Sequence, residues 1–148
     1  MRIISFDPRY RDDMIFLVLQ AKDALGCVPR LNEDLLDVSA NYLQQGDGFF
    51  LALSDDDRVI GCIGVQINGE SARLRRFYVK ANAKRQGIGS QLLATAEQFA
   101  RAHGAKEAVV HMGDPAHYWE SALFYPKHGY ETAEYRWMKK NLDPQNQR

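Results

Sequence analysis

At 148 residues with 45% hydrophobic composition, the chain has the length and apolar content of one domain spanning 1–148 around a single core. Its 19 basic and 19 acidic residues cancel, so no global field holds nucleic acid or a membrane, and any basic site must be local. The longest apolar run, Met14 to Leu19, falls far short of the roughly 20 residues of a membrane helix. With no secretory apolar segment and two widely separated cysteines, Cys27 and Cys62, the expectation is a cytoplasmic protein with free thiols.

Arg2 to Phe6 reads as a short β run. Asp7-Pro8 then sets a capping side chain before a proline at the first helical position, so a helix starts at Pro8. Met14, Leu17, Val18, Ala21, Ala24 and Leu25 follow helical spacing, and Gly26 stops the helix near Leu25. After a loop through Pro29, Asn32 is placed to cap a second helix burying Leu35, Leu36, Val38 and Leu43 on one face. Glu33, Asp34 and Asp37 make its other face acidic, which either suits the helix dipole or draws in a cationic amine.

Phe49 to Leu53, Arg58 to Ile67 and Ser71 to Val79 are three β runs. Asp55-Asp56-Asp57 and the two-residue Asn68-Gly69 signal join them into an antiparallel meander. Gly61 and Gly64 in the middle run mark either local softening or close backbone approach. In the third run the apolar positions are Ala72 and Leu74, then Phe77 and Val79, so the alternation changes phase. A period-two strand does this by taking in one extra residue, which predicts a β-bulge at Arg75-Arg76.

Lys84-Arg85-Gln86-Gly87-Ile88-Gly89-Ser90 is a basic loop running into a helix whose apolar face is Ile88, Leu92, Leu93, Ala96, Phe99 and Ala100. That helix stops at His103-Gly104. Glu107 to His111 is a fifth strand, parallel to the bulged one across the helical crossover. The first amides of a helix lack partners within it and carry the positive end of its dipole, so a phosphate fits there. Gly87 and Gly89 are expected to turn with positive φ and admit a ligand, with Lys84 and Arg85 adding charge. A Walker loop is excluded because Ser90-Gln91 follows the last glycine. A dinucleotide fingerprint is excluded because Leu92 stands where its third glycine belongs.

Asp114-Pro115 is read as opening a last helix with Trp119, Ala122, Leu123 and Phe124. Tyr125-Pro126-Lys127-His128-Gly129-Tyr130 ends it before one final strand, with Pro126 kinking or shortening it.

The basic loop resembles the pyrophosphate-binding signature of the GNAT superfamily of acetyl-CoA-dependent N-acetyltransferases, (Gln/Arg)-x-x-Gly-x-(Gly/Ala), with Lys84 at the first position. Phe124, Tyr125, Lys127 and Gly129 are similar to its second conserved region, Phe/Leu-Tyr-Glu-Lys-x-Gly-Phe, with Pro126 for Glu and Tyr130 for Phe. The resemblance covers most of the chain, and residues 72–130 carry its specific part. It implies an α/β (α+β) fold: a mixed, mostly antiparallel sheet splayed between strands four and five and flanked by about four helices.

The resemblance also implies acetyl-CoA as cosubstrate and no metal. Lys84, Arg85, Gln86, Gly87, Ile88, Gly89 and Ser90 would lie at its pyrophosphate, and Phe77, Tyr78 and Val79 along its pantetheine arm. Tyr118 stands where many members place an Asn against that arm. The implied reaction is acetyl transfer to a primary amine by direct attack in a ternary complex. A phenol at Tyr125, with an ordinary pKa of about 10, would protonate the departing thiolate. Arg73, Arg75 and Arg76 replace the carboxylate that the family often uses as base, leaving Glu70, His111 and Asp114 as candidates, with His111 preferred. The rival reading is a non-catalytic acyl-CoA-binding sensor or regulatory module. Small-molecule amines, such as an amino acid, a polyamine or an antibiotic, and a peptide or protein N-terminus all fit as acceptors. Nucleic acid and membrane are not expected partners, and a homodimer is compatible with the fold.

Overall fold

The structure is a computed structural model that describes residues 1–114 and 116–143. Strand β2 (Gly48–Leu53) shows the alternation that builds the two layers: Phe49, Leu51 and Leu53 join one core, while Ala52 joins the other. Around it lie β1 (Arg2–Ser5), β3 (Val59–Asn68), β4 (Ser71–Val79), β5 (Glu107–His111), β6 (Glu131–Glu134) and β7 (Trp137–Asn141). They form one sheet in the order β1-β2-β3-β4-β5-β7-β6. The β4–β5 pair is parallel and the other neighbours are antiparallel.

Helix α3 (Ile88–Ala102) lays Ile88, Leu92, Leu93, Ala96 and Ala100 on the core that holds Ile63, Val65, Leu74, Ala108 and Met138. The second core takes Met14, Leu17 and Val18 from α1 (Arg11–Ala24), with Leu35, Val38 and Tyr42 from the segment around α2 (Val38–Asn41). Helix α4 (Trp119–Lys127) buries Tyr125 in the α3 core. The hydroxyl of Tyr130, in place of the family's usual Phe, donates to Glu97 on α3 at 2.7 Å, and Lys140 reaches the same carboxylate at 3.1 Å. This buried carboxylate therefore has partners on both oxygens.

Several boundaries differ from the sequence reading. Asp7 does cap, accepting from the Arg9 amide at 3.0 Å, but it caps a 3-10 turn over Pro8–Tyr10, and the α-helix begins at Arg11. The expected second helix is a 3-10 segment, Glu33–Asp37, followed by the four-residue α2. The Asn32 side chain is taken by Lys22 Nζ at 2.6 Å, and Asp37 instead caps at the Ala40 amide, at 3.0 Å, so the chain starts afresh in mid-segment. Leu35 and Val38 are buried, but Leu36 is 44% exposed.

The β3–β4 turn consists of Gly69 (φ +63°) and Glu70, one residue beyond the expected pair, because Asn68 still pairs with Ser71. The last helix starts at Trp119 rather than Asp114, whose side chain and carbonyl instead close a turn onto Ala116 and Tyr118. Pro115 lies outside the described residues. Pro126 sits in the last turn and α4 ends at the next residue, so it shortens the helix. The single final strand is a hairpin, β6 and β7. No helix among the described residues is long and apolar enough to cross a membrane.

Both glycines of β3 are sites of close approach. A Cβ on Gly61 would stand 2.8 Å from Leu92 Cδ1 and 3.3 Å from Ile88 Cγ2, where α3 presses onto the sheet; one on Gly64 would stand 3.0 Å from the Tyr42 ring. Gly61→Val is expected to destabilise the fold by about 1–3 kcal/mol through overpacking, read from urea unfolding midpoints.

Candidate active site

The site begins with a miscount in strand pairing. Between the pairs Cys62↔Tyr78 and Gly64↔Arg75, β4 spends three residue steps against two on β3, so one residue bulges. That residue is Arg76, at φ +53°. On its other edge β4 pairs with β5 only over Ser71–Leu74, and Arg75 to Val79 run without a β5 partner. The predicted bulge and the predicted splay are thus one feature.

Side chains from three elements hold it. Arg76 grips Asp34 in a bidentate pair, Nε to Oδ2 at 3.0 Å and Nη2 to Oδ1 at 3.0 Å, while the Tyr42 hydroxyl donates to Oδ2 at 2.6 Å. Burial works against the Asp34 charge, but the bonds from Arg76 and Tyr42 outweigh it and hold this carboxyl below the usual range. Asp34 therefore serves the bulge and is not a free lure for an amine. The Cys62 thiol, pushed up to about 12 by burial, donates to the Arg76 carbonyl at 3.2 Å.

The loop after β4 brings up the mouth of α3. Arg85 (φ +66°) and Gly87 (φ +80°) both take the left-handed region, and Gly87 begins the helix with no side-chain cap. The amides of Ile88, Gly89 and Ser90 therefore have no partner within the helix. Gly89 differs from the expectation: it lies inside α3 with no positive φ, and a Cβ there would touch the Phe124 and Phe77 rings at 3.5 and 3.6 Å. The Ile88 side chain is buried in the core and Gln86 is exposed, and neither lines the adjoining cavity.

A cavity of about 330 Å³ opens between this mouth, Phe77, Tyr78 and Val79 of β4, and Tyr118, Phe124 and Tyr125 of α4. Lys84 and Arg85 stand at its rim; Lys84 meets Glu120 at 3.4 Å. A second cavity of about 220 Å³ lies in the gap between β4 and β5, reached by Arg73, Arg75, His111 and Gly113. Tyr78 and Tyr125 line both cavities, which places Tyr125 at their junction. Burial pushes the Tyr125 hydroxyl well above the ordinary phenol range. Of the three candidate bases, His111 lines the second cavity, its ring edge-on to Trp137 at 4.9 Å. Glu70 lies at the far end of the sheet beside Lys106, and Asp114 closes its turn. A wider depression, about 920 Å³, occupies that far end with mixed charges and no link to the α3 mouth.

The sequence reading missed several lining residues. Ala21 of α1 and Leu25 just after it were read only as part of a helical stripe, and His128 only as part of a helix end. His128 Nδ1 lies 2.9 Å from the Phe124 carbonyl, which only accepts, so in the neutral ring Nε2 takes the hydrogen bond from Ser90 Oγ at 2.9 Å. Ser90 thus ties α3 to α4. Tyr118, read as a departure from the family pattern, packs over Gly113, where no Cβ fits, and its hydroxyl meets Cys27 Sγ at 3.7 Å. The signal available in sequence was the aromatic density of Tyr118, Trp119, Phe124 and Tyr125.

The family model described as the acetyltransferase (GNAT) domain matches residues 45–132. The chain belongs to the GNAT acetyltransferase family. This GNAT chain is 28% identical over 86 residues to human N-acetyltransferase 8, a match covering 54% of the chain but 38% of that protein. In fold it is similar to a GNAT acetyltransferase of Staphylococcus aureus Mu50, with a TM-score of 0.86, 18% identity, and coverage of 96% of this chain and 99% of that one. It is also similar to the PaiA N-acetyltransferase of Thermoplasma acidophilum, solved with coenzyme A: TM-score 0.73, 20% identity, 95% and 99% coverage. An aminoglycoside 6'-N-acetyltransferase complexed with coenzyme A gives a TM-score of 0.75, 16% identity, and 97% and 98% coverage.

The two glycines of this GNAT loop are expected to behave differently. Gly87→Ala should cost about 1 kcal/mol in urea unfolding because its φ is left-handed, whereas Gly89→Ala, at an ordinary helical position, should cost no stability. The Asp34 carboxyl, depressed in the fold, contributes stability that is present above the unfolded value of about 4 and lost as pH falls through the folded value. The gap in melting temperature between wild type and Asp34→Asn should therefore narrow as pH drops below about 4.

Proposed function

We propose that this GNAT chain moves an acetyl group from acetyl-CoA to a primary amine by direct attack in a ternary complex. The observation that carries the reading is that Gly87, Gly89 and Ser90 at the uncapped mouth of α3 and Tyr125 of α4 line one cavity, beside a strand that has parted from its neighbour. The lining suits the cosubstrate in its chemistry. Unpaired amides with Arg85 and Lys84 suit a diphosphate, and the rings of Phe77 and Phe124 give an apolar passage toward Tyr125.

When bound, acetyl-CoA supplies an activated acyl carbon and a thiol leaving group. Ile88, Gly89 and Ser90 hold the anionic end through backbone amides, and Tyr78 and Val79 border the arm. Tyr125 keeps its proton because burial raises its pKa, and it gives that proton to the sulfur as the C–S bond breaks. His111, in the adjoining cavity, takes the proton that the amine sheds as the C–N bond forms. The rest of the rate comes from holding the reactants together.

Tyr125→Phe is expected to lower kcat for acetyl transfer by about 100-fold while calorimetry finds coenzyme A affinity unchanged. An unaltered rate would remove Tyr125 from the chemistry. Coenzyme A binding with no acetylated product from any amine would favour a sensor.

A further inference from the structure

The β4 wall of the second cavity is basic where a cationic acceptor would need acid. Arg73 and Arg75 lie two apart on the strand and so project to one face. Arg76, beside them, is neutralised by Asp34, but neither Arg73 nor Arg75 pairs with a carboxylate among the described residues. Arg75 reaches Gln66 Oε1 only at 3.5 Å. The Arg73 guanidinium lies over the Trp137 ring at 5.1 Å, and its Nε is buried without a hydrogen-bond partner. Among the described residues no Asp or Glu lines this cavity.

We infer that the acceptor is an amine that also bears a carboxylate, held by Arg73 and Arg75 in the gap between β4 and β5. This inference rests on the acetyl-transfer reading and names its substrate class. Two guanidinium groups kept close together and partly out of water, without a counter-ion, are costly, and a bidentate carboxylate offsets that cost. Burial, then the charges of Arg75 and Arg76, weakens the hold of Arg73 on its own proton, the direction expected of a cation awaiting a partner. The Arg73 guanidinium and the His111 ring both contact Trp137, the first over its ring and the second edge-to-face, so one residue of β7 brings them together. A carboxylate on the arginines thus sets its own amine in the cavity that His111 and Tyr125 share. Polyamines and aminoglycosides would meet like charge on this wall and are disfavoured.

The test separates binding from turnover. N-acetyl-L-phenylalanine and N-acetyl-L-leucine, each against its C-terminal amide, are titrated into the protein saturated with coenzyme A. The acids are expected to bind at least about tenfold tighter than the amides. Arg73→Gln and Arg75→Gln should each shrink that ratio several-fold, while Arg73→Lys keeps part of it. Coenzyme A titration of the same variants reports whether the fold survives, and Arg75→Gln keeps the test open should loss of the Trp137 contact unfold the first variant. Equal binding of acid and amide, tighter binding of spermidine, no binding of any acid, or a ratio that survives both glutamine variants would overturn the inference. A tighter-binding phosphonate analogue would also overturn it, in favour of a phosphorylated acceptor. A carboxylate preference in binding with no acetylated product from any amine would sustain the anion site while refuting acetyl transfer.

Discussion

A strand can keep two hydrogen-bonded neighbours only while its residues stay in step with both. β4 falls out of step at Arg76, and the rest of the candidate site depends on that slip. Before it, Ala72 and Leu74 serve the α3 core; after it, Phe77 and Val79 take over that face, and pairing with β5 is finished. A left-handed arginine costs about 1–2 kcal/mol, and the fold offsets this locally with the two bonds to Asp34, the Tyr42 hydroxyl behind them and the Cys62 thiol on the bulge carbonyl. The bulge is held from the opposite layer of the molecule, so the gap and the packing of the α1 and α2 segments are one cooperative unit.

Electrostatics follows the same division. A net charge of zero hides two separated positive regions: the amide-rich mouth of α3 with Lys84 and Arg85, and the Arg73–Arg75 wall within the gap. Tyr125, neutral and buried, lies between them. The acidic residues near the site are already committed, Asp34 to Arg76 and Glu120 to Lys84. The field in the site is therefore set by backbone dipoles and arginines, a setting that favours anions at both ends and leaves Tyr125 between them uncharged.

What the sequence revealed were features written in adjacent residues. The shift from Ala72 and Leu74 to Phe77 and Val79 located the bulge, the stripe from Ile88 to Ala100 located α3, and Gly87 marked the turn that opens it. What it hid depends on distant partners. Asn32 looks like a cap until Lys22 takes its side chain, and Asp34 looks like a first-turn acid until Arg76 reaches it across the fold. The β6 residues are all exposed, so no alternation announced that strand. Gly89 looked like a second left-handed hinge, but it sits at an ordinary helical position, where a Cβ would only touch the Phe124 and Phe77 rings. Ala21 and Leu25 follow the same helical stripe as the core residues of α1, and periodicity does not tell a cavity wall from a core.

The seat of α3 on Gly61 has a consequence for molecular recognition. Leu92 and Ile88 sit against bare backbone there, with no side chain between helix and strand to give way. The mouth of α3 is therefore set directly on the sheet, with Tyr125 buried in the same core. On the proposed reading the protein gauges its acyl carrier by length as well as by charge: a diphosphate on a shorter tether would dock at one end and leave its thioester stranded short of the phenol.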